Sequence, residues 1–147
     1  MKPTVLDLFS GCGGFSYGFQ QAGYEVVGFV EMWKPAIQTY KINHPNAKHI
    51  GCDITHIPNE TIKAYEGKID VIIGGPPCQG FSMAGKRDHN DPRNQLYKHY
   101  LRFVRIIQPN TVVMENVKGM LSMKDQDHEK VLNKILHDFI QLGYSVC

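Results

Sequence analysis

The 147-residue sequence predicts a doubly wound α/β fold built on a mostly parallel, Rossmann-like sheet. Three observations carry that expectation. Short β-branched or aliphatic runs alternate with longer amphipathic stretches, the pattern of successive βαβ units. One run, Ile69–Ile73, is aliphatic apart from Asp70, as in a strand buried on both faces. A glycine turn, Gly11–Gly14, follows directly on the first aliphatic run.

The elements follow in order. Thr4–Phe9 reads as a strand and Phe15–Ala22 as a helix, closed by Gly23 at a typical left-handed cap position. Val26–Val30 is the second strand. Pro35–Asn43 is the second helix, with Pro35 in its first turn, where a missing N–H costs nothing. A short strand leads to Cys52 and Asp53, and Ile69–Ile73 is the fourth strand. Gln95–Ile107 places Leu96, Tyr100, Phe103, Val104 and Ile107 on one helical stripe. Thr111–Met114 is the fifth strand, and Glu129–Leu142 a last helix with Val131, Leu132, Ile135 and Phe139 inward.

Composition narrows the class. The length fits roughly one domain of ~150 residues. With 42% hydrophobic and 20% charged residues, the chain has the makings of a packed core and not of a disordered tail. No apolar run approaches the ~18–20 residues of a membrane span, and Asp7 interrupts the only candidate for a leader. Cys12, Cys52, Cys78 and Cys147 form no C-x-x-C pair or metal-ligand spacing, so no metal site is expected. Their scatter points to a reducing, cytoplasmic setting. Net charge is only +2, but Lys86, Arg87, Arg93, Lys98, Arg102 and Arg105 face only Asp88 and Asp91 within one stretch. That stretch is either a solvated helix face or a contact for phosphates.

In a doubly wound sheet, ligands bind beyond the carboxyl ends of the strands. The residues there are Ser10-Gly11-Cys12-Gly13-Gly14, then Glu31, Asp53, Gly74-Gly75-Pro76-Pro77-Cys78, and Glu115-Asn116. Chemically capable groups thus follow five strands in succession. The glycine turn lets backbone N–H groups approach a ligand, or is a tight turn and nothing more. Ser16 stands where the dinucleotide fingerprint G-x-G-x-x-G needs its third glycine, which disfavours a nicotinamide dehydrogenase. Glu31, 24 residues after Asp7, is placed to accept from ribose hydroxyls, or is merely solvated. Asp53 could accept from an adenine amine, with Met32 or Trp33 as an apolar wall. Pro76 and Pro77 stiffen the backbone entering Cys78, which suits a nucleophile better than a structural thiol. Glu115 could share a proton with a substrate beside it.

Asp7-Leu8-Phe9-Ser10-Gly11-Cys12-Gly13-Gly14, Glu31, Asp53, Gly75-Pro76-Pro77-Cys78-Gln79-Gly80-Phe81-Ser82 and Met114-Glu115-Asn116-Val117 resemble, in order, the motifs of the C5 cytosine-specific DNA methyltransferase family. The resemblance runs from Thr4 to about Leu121 and implies S-adenosylmethionine as cofactor. It implies that Phe9, Ser10, Gly11, Gly13 and Gly14 hold the methionine portion, Glu31 the ribose, Met32 the adenine face, and Asp53 with Ile54 the adenine edge. Pro77 and Leu96 match further cofactor positions. Cys78 is implied as the nucleophile and Glu115 as its acid–base partner. Gln79, Ser82, Arg93 and Asn116 match positions near a cytosine flipped out of double-stranded DNA. One branch of the family acts on transfer RNA, so an RNA substrate is the close alternative, and a non-catalytic remnant a more distant one.

The family continues beyond Glu115 with a Q-x-R-x-R motif, a target-recognition region and a final asparagine-bearing helix. None of these occurs before Cys147. Residues 1–147 are therefore expected to be the N-terminal part of a catalytic domain. As a fragment or one subunit needing a second polypeptide, the chain is expected to be weak or inactive alone.

Overall fold

The structure is a computed structural model describing residues 1–77, 96–115 and 130–147. Five strands, β1 (Thr4–Leu8), β2 (Glu25–Val30), β3 (Lys48–Gly51), β4 (Val71–Gly74) and β5 (Thr111–Met114), form one sheet in the order β3-β2-β1-β4-β5. The four pairings within this sheet are all parallel. The chain moves outward from β1 to β3 and returns to place β4 on the other side of β1. The order reverses between β1 and β4, and their carboxyl ends open the crevice where such sheets bind ligands.

The pleat sorts side chains to the two faces. Val5, Val71, Ile73 and Phe29 face α1 (Gly14–Gln21) and α2 (Lys34–Asn43), joined there by Phe15, Phe19, Ile37 and Tyr40. Leu6, Leu8, Val30 and Ile72 face the larger core. That core is closed by α3 (Asn59–Lys63), α4 (Leu96–Ile107) and α5 (Val131–Gln141) through Ile62, Phe103, Val104, Ile107, Ile135 and Phe139. Asp7 shares the first face, so its carboxyl is buried beneath α1 and α2.

The elements lie where the sequence expects them, with differences that have local causes. β1 ends at Leu8 because Phe9 turns to φ +60°, outside the extended region. β4 begins at Val71 and runs through Gly74, which pairs with both Leu8 and Met114. Ile69 is buried without pairing, while the Asp70 carboxylate accepts from the Thr4 N–H at 2.7 Å and from its hydroxyl at 3.0 Å, pinning the start of β1. A 3-10 turn (Ile54–His56) and α3 are additions to the expected set. Both are too short for a hydrophobic period to register.

Candidate functional site at the carboxyl edge of the sheet

The glycine turn is fixed by the backbone on one side and by a carboxylate on the other. The Ser10 N–H donates to the Val30 carbonyl at 3.1 Å, and the Gly13 N–H to the Ser10 carbonyl at 3.0 Å. Glu31, leaving β2, accepts from the Gly11 N–H at 2.8 Å through Oε2, and from the Met32 and Trp33 N–H groups at 2.9 and 2.8 Å through Oε1. One side chain thus ties the first two strand ends together. A carboxylate offers about four acceptor positions, so Glu31 retains capacity for a ligand's hydroxyl.

The glycines divide the work. Gly11 has φ +54°, and an added Cβ at Gly11 or Gly14 would meet nothing within 4 Å, so the turn has open space above it. Gly13 faces inward: at φ +90°, its Cβ would come within 2.7 Å of His44 Nε2 and 2.8 Å of Tyr40. His44 is buried, with Nε2 3.0 Å from the Gly13 carbonyl and Nδ1 3.0 Å from Gln20. Gly13 lets α1 seat against α2, and Gly11 and Gly14 leave the ligand side open. Ser10 is buried, and its hydroxyl has no partner among the described residues.

Sequence reasoning gave no role to the side chains of Asp7 and Ser16. Ser16 is fully buried, donates to Asp7 Oδ2 at 2.6 Å, and lies 2.6 Å from the Tyr40 hydroxyl. The Ser16 proton goes to the carboxylate, so Tyr40 donates to Ser16, and the chain Tyr40–Ser16–Asp7 links α2, α1 and β1. Asp7 Oδ1 is buried with no partner among the described residues. Burial pushes the Asp7 carboxyl up to about 7, opposed by the Ser16 hydrogen bond and reinforced by the nearby Glu31 charge. Burial, then the Asp7 charge, likewise raises the Tyr40 hydroxyl. Ser16 at the position of the missing third glycine was the one available signal.

Met32 and Trp33 are 69% and 64% exposed beside Glu31, free to present apolar surface. Asp53 caps the 3-10 turn: Oδ1 accepts from the Thr55 N–H at 2.9 Å and its hydroxyl at 2.7 Å, and Oδ2 lies 3.0 Å from His56 Nδ1. Those Thr55 bonds, with a smaller contribution from His56, hold the carboxyl below its ordinary range. The Ile54 side chain is in the core, so this residue can offer only backbone to a ligand. Leu96, half-buried, opens α4 and packs on the same core.

On the other side of the switch point, the Glu115 N–H donates to the Gly74 carbonyl at 2.9 Å. A Cβ on Gly75 would lie 2.7 Å from Glu115 Oε2, so the carboxylate rests directly over the Gly75 backbone. Pro76 is buried and Pro77 half-buried. Cys78, Gln79, Ser82, Arg93 and Asn116 lie outside the described residues, as do Lys86 and Arg87 of the basic stretch. Arg102, from the same stretch, is engaged within the protein and donates to the Ile54 carbonyl at 2.6 Å. No helix among the described residues is long and apolar enough to cross a membrane.

Residues 3–147 match the model of a family described as C-5 cytosine-specific DNA methylase. The chain is 48% identical to the type II methyltransferase M.DdeI of Desulfomicrobium norvegicum over 98% of its length, and 41% identical to M1.HphI of Haemophilus parahaemolyticus over 99%. It spans only 35% and 40% of those two relatives. Among solved structures, an E. coli prophage-encoded protein assigned as a DNA modification methyltransferase superposes with a TM-score of 0.76 at 40% identity, covering 95% of this chain and 38% of the other. Spodoptera frugiperda DNMT2 superposes at 0.70 with 28% identity, covering 96% and 41%.

Proposed function

This chain belongs to the C-5 cytosine-specific DNA methylase family, and from that premise we propose that it is the donor-binding and nucleophile-bearing part of an enzyme that moves a methyl group from S-adenosylmethionine to C5 of cytosine in DNA. The observation that carries the reading is the pair of seated carboxylates flanking the switch point. Glu31 is locked to the glycine turn on one side, and Glu115 rests over Gly75 on the other, two residues before Pro77-Cys78.

The residues fit the donor. Gly11 and Gly14 leave open space over a turn whose Ser10 hydroxyl has no partner among the described residues. In this reading, Phe9, Ser10, Gly11 and Gly14 hold its methionine end, with Gly13 shaping the turn from behind. Glu31 accepts from the ribose, Met32 covers the adenine, Asp53 and the Ile54 backbone meet its edge, and Pro77 and Leu96 close the sides. When bound, the donor supplies a methyl group on a sulfonium centre, electrophilic enough for a ring carbon to attack.

Cytosine C5 is too weak a nucleophile for that attack unaided. The Cys78 thiolate uses its electron pair to form the S–C6 bond, which shifts the C5–C6 π pair to C4–C5 and the C4–N3 π pair onto N3, where Glu115 supplies or shares a proton. The ring becomes an enamine whose C5 takes the methyl group. N3 gives its proton back to Glu115. Loss of the C5 proton to solvent leaves its bond pair to rebuild the C5–C6 double bond as Cys78 departs as thiolate with the S–C6 pair, restoring the aromatic ring. The base must leave the duplex for this, and Gln79, Ser82, Arg93 and Asn116 are assigned to the flipped nucleotide. Choice of DNA sequence is assigned to the portion of the relatives this chain does not match, whether continuous with it or in a second subunit.

The test is transfer of labelled methyl from S-adenosylmethionine by the protein isolated in its native assembly. Label is expected in 5-methylcytosine of DNA, abolished by C78S and reduced at least roughly a hundredfold by E115Q, the scale of lost acid–base assistance. Label in transfer RNA alone would move the substrate assignment. Label in neither, with the donor demonstrably bound, would overturn the proposal.

A further inference from the structure

We propose that Arg102 on α4 is a positioning residue that sets the adenine end of the donor pocket by clamping the Asp53–His56 turn and α3 to that helix. The inference rests on the donor reading above and extends it to a residue outside the pocket itself.

The bonds within the turn are local. Thr55 donates to Asp53 through its N–H and hydroxyl, and the His56 N–H donates to the Asp53 carbonyl at 3.1 Å. These bonds fix the turn's shape and leave its position open. β3 ends at Gly51, two residues before Asp53. Position is set by Ile54 and Ile57, packed into the core, and, among the described residues, by a polar tie to the distant α4. Arg102 Nη2 donates to the Ile54 carbonyl at 2.6 Å, while Nη1 reaches Asn59 Oδ1, at the start of α3, at 3.4 Å.

A planar guanidinium presents these two donors at a fixed angle, which a lysine ammonium cannot do. The bond at 2.6 Å is a charge-assisted one to a backbone carbonyl of the residue beside Asp53, and without Arg102 that carbonyl loses its partner. Arg102 Nε is buried with no partner among the described residues, so the outer nitrogens dictate the side chain's orientation.

The same helix carries Leu96. His99 is three residues from both Leu96 and Arg102 on α4, so it neighbours each of them, while Leu96 and Arg102 themselves stand about 120° apart around the helix. His99 feels both Arg102 and Asp53: burial and the Arg102 charge lower its pKa, and the Asp53 charge opposes them. Its Nδ1 is buried without a partner among the described residues. One helix, α4, therefore bears a candidate donor contact, Leu96, and grips the turn bearing two others through Arg102. Arg102 fixes the spacing between them.

A clamp on the adenine end differs from general stabilisation in what it does to base discrimination. The test measures binding of S-adenosylhomocysteine and S-inosylhomocysteine, which differ at the amine assigned to Asp53, to the intact protein. Wild type is expected to favour the adenine form by roughly tenfold or more, the penalty for an unpaired acceptor. R102A should reduce that preference to within roughly threefold, with R102K intermediate, because the acceptor then no longer sits at hydrogen-bonding distance. If R102A fails to fold, R102K is read by the same ratio. A merely structural role would weaken both ligands equally, and a ratio unchanged from wild type would overturn the clamp while leaving the donor reading intact. Failure of wild-type protein to bind either ligand would overturn the donor reading and the clamp with it.

Discussion

Replacing Asp7 by asparagine should change how stability depends on pH more than it changes stability at any one pH. Asp7 is 1% exposed on the central strand, and its carboxyl is raised from an ordinary 3.8 to about 7. The unfolded chain releases this proton near pH 4, whereas the folded chain keeps it until about pH 7. Folding between those limits therefore takes up a proton, and the Asp7 contribution is fully present below pH 4 and lost as pH rises through 7. At ~1.4 kcal/mol for each tenfold in proton affinity, the loss is on the order of 4 kcal/mol.

D7N removes the titration and keeps an oxygen to accept from Ser16. Its amide group would take the place of Oδ1, which has no partner among the described residues, and cost about 1–3 kcal/mol, independent of pH. Urea unfolding of both proteins from pH 4 to 8 separates the two effects. The offset reports the amide, and the slope of the difference reports the carboxyl, because every other titrating group is common to both. Wild type should lose on the order of 4 kcal/mol relative to D7N across that interval. Parallel curves would refute the reasoning, and a slope of opposite sign would mean that Tyr40 and Ser16 stabilise the charged carboxylate more than burial opposes it.

The donor site yields two further expectations. E31A removes the acceptor of the Gly11, Met32 and Trp33 N–H groups. Because the site is partly solvated, the cost should be on the order of 2 kcal/mol, lowering the melting temperature by roughly 4–8 °C. S-Adenosylmethionine affinity should fall at least roughly tenfold by calorimetry, and affinity within twofold of wild type would sink the ribose role. G13A and G14A, adjacent in sequence, should part company. The first drives a Cβ into His44 and Tyr40 at φ +90° and should cost about 3 kcal/mol or more. The second meets open space in the first helical turn and should stabilise the fold by up to about 1 kcal/mol while weakening donor binding. Undiminished donor affinity in G14A would show that the space above the turn is not the donor site.

Much of this arrangement is legible in the residues. Alternating runs place all five strands, and the aliphatic run containing Val71, Ile72 and Ile73 marks a strand buried on both faces, as these three residues are. Glu31 and Glu115 stand out because strand ends in such a sheet converge on one edge. Other features depend on contacts between elements distant in sequence. Ser16 reads only as a departure from a glycine fingerprint until α1 and α2 bring it between Asp7 and Tyr40. Gly13 looks equivalent to Gly11 and Gly14 until His44, 31 residues away, occupies the space its Cβ would need. Arg102 reads as one charge in a basic stretch, and its bond to Ile54 spans 48 residues. The turn at Ile54–His56 and the five-residue α3 carry too few residues for a period, although Ile54, Ile57 and Ile62 all enter the core.

The central claim is that Cys78 attacks cytosine beside a donor site built on Glu31 and the glycine turn. It is tested most directly with DNA carrying 5-fluorocytosine and S-adenosylmethionine, using the protein in its native assembly. Fluorine at C5 cannot leave as a proton does, so methyl transfer should strand the enzyme on its substrate. The expected result is a denaturation-resistant adduct whose mass includes the methyl group and whose crosslinked peptide contains Cys78, absent in C78S. An adduct formed equally by C78S, or none from wild-type protein that binds donor and DNA, would contradict it.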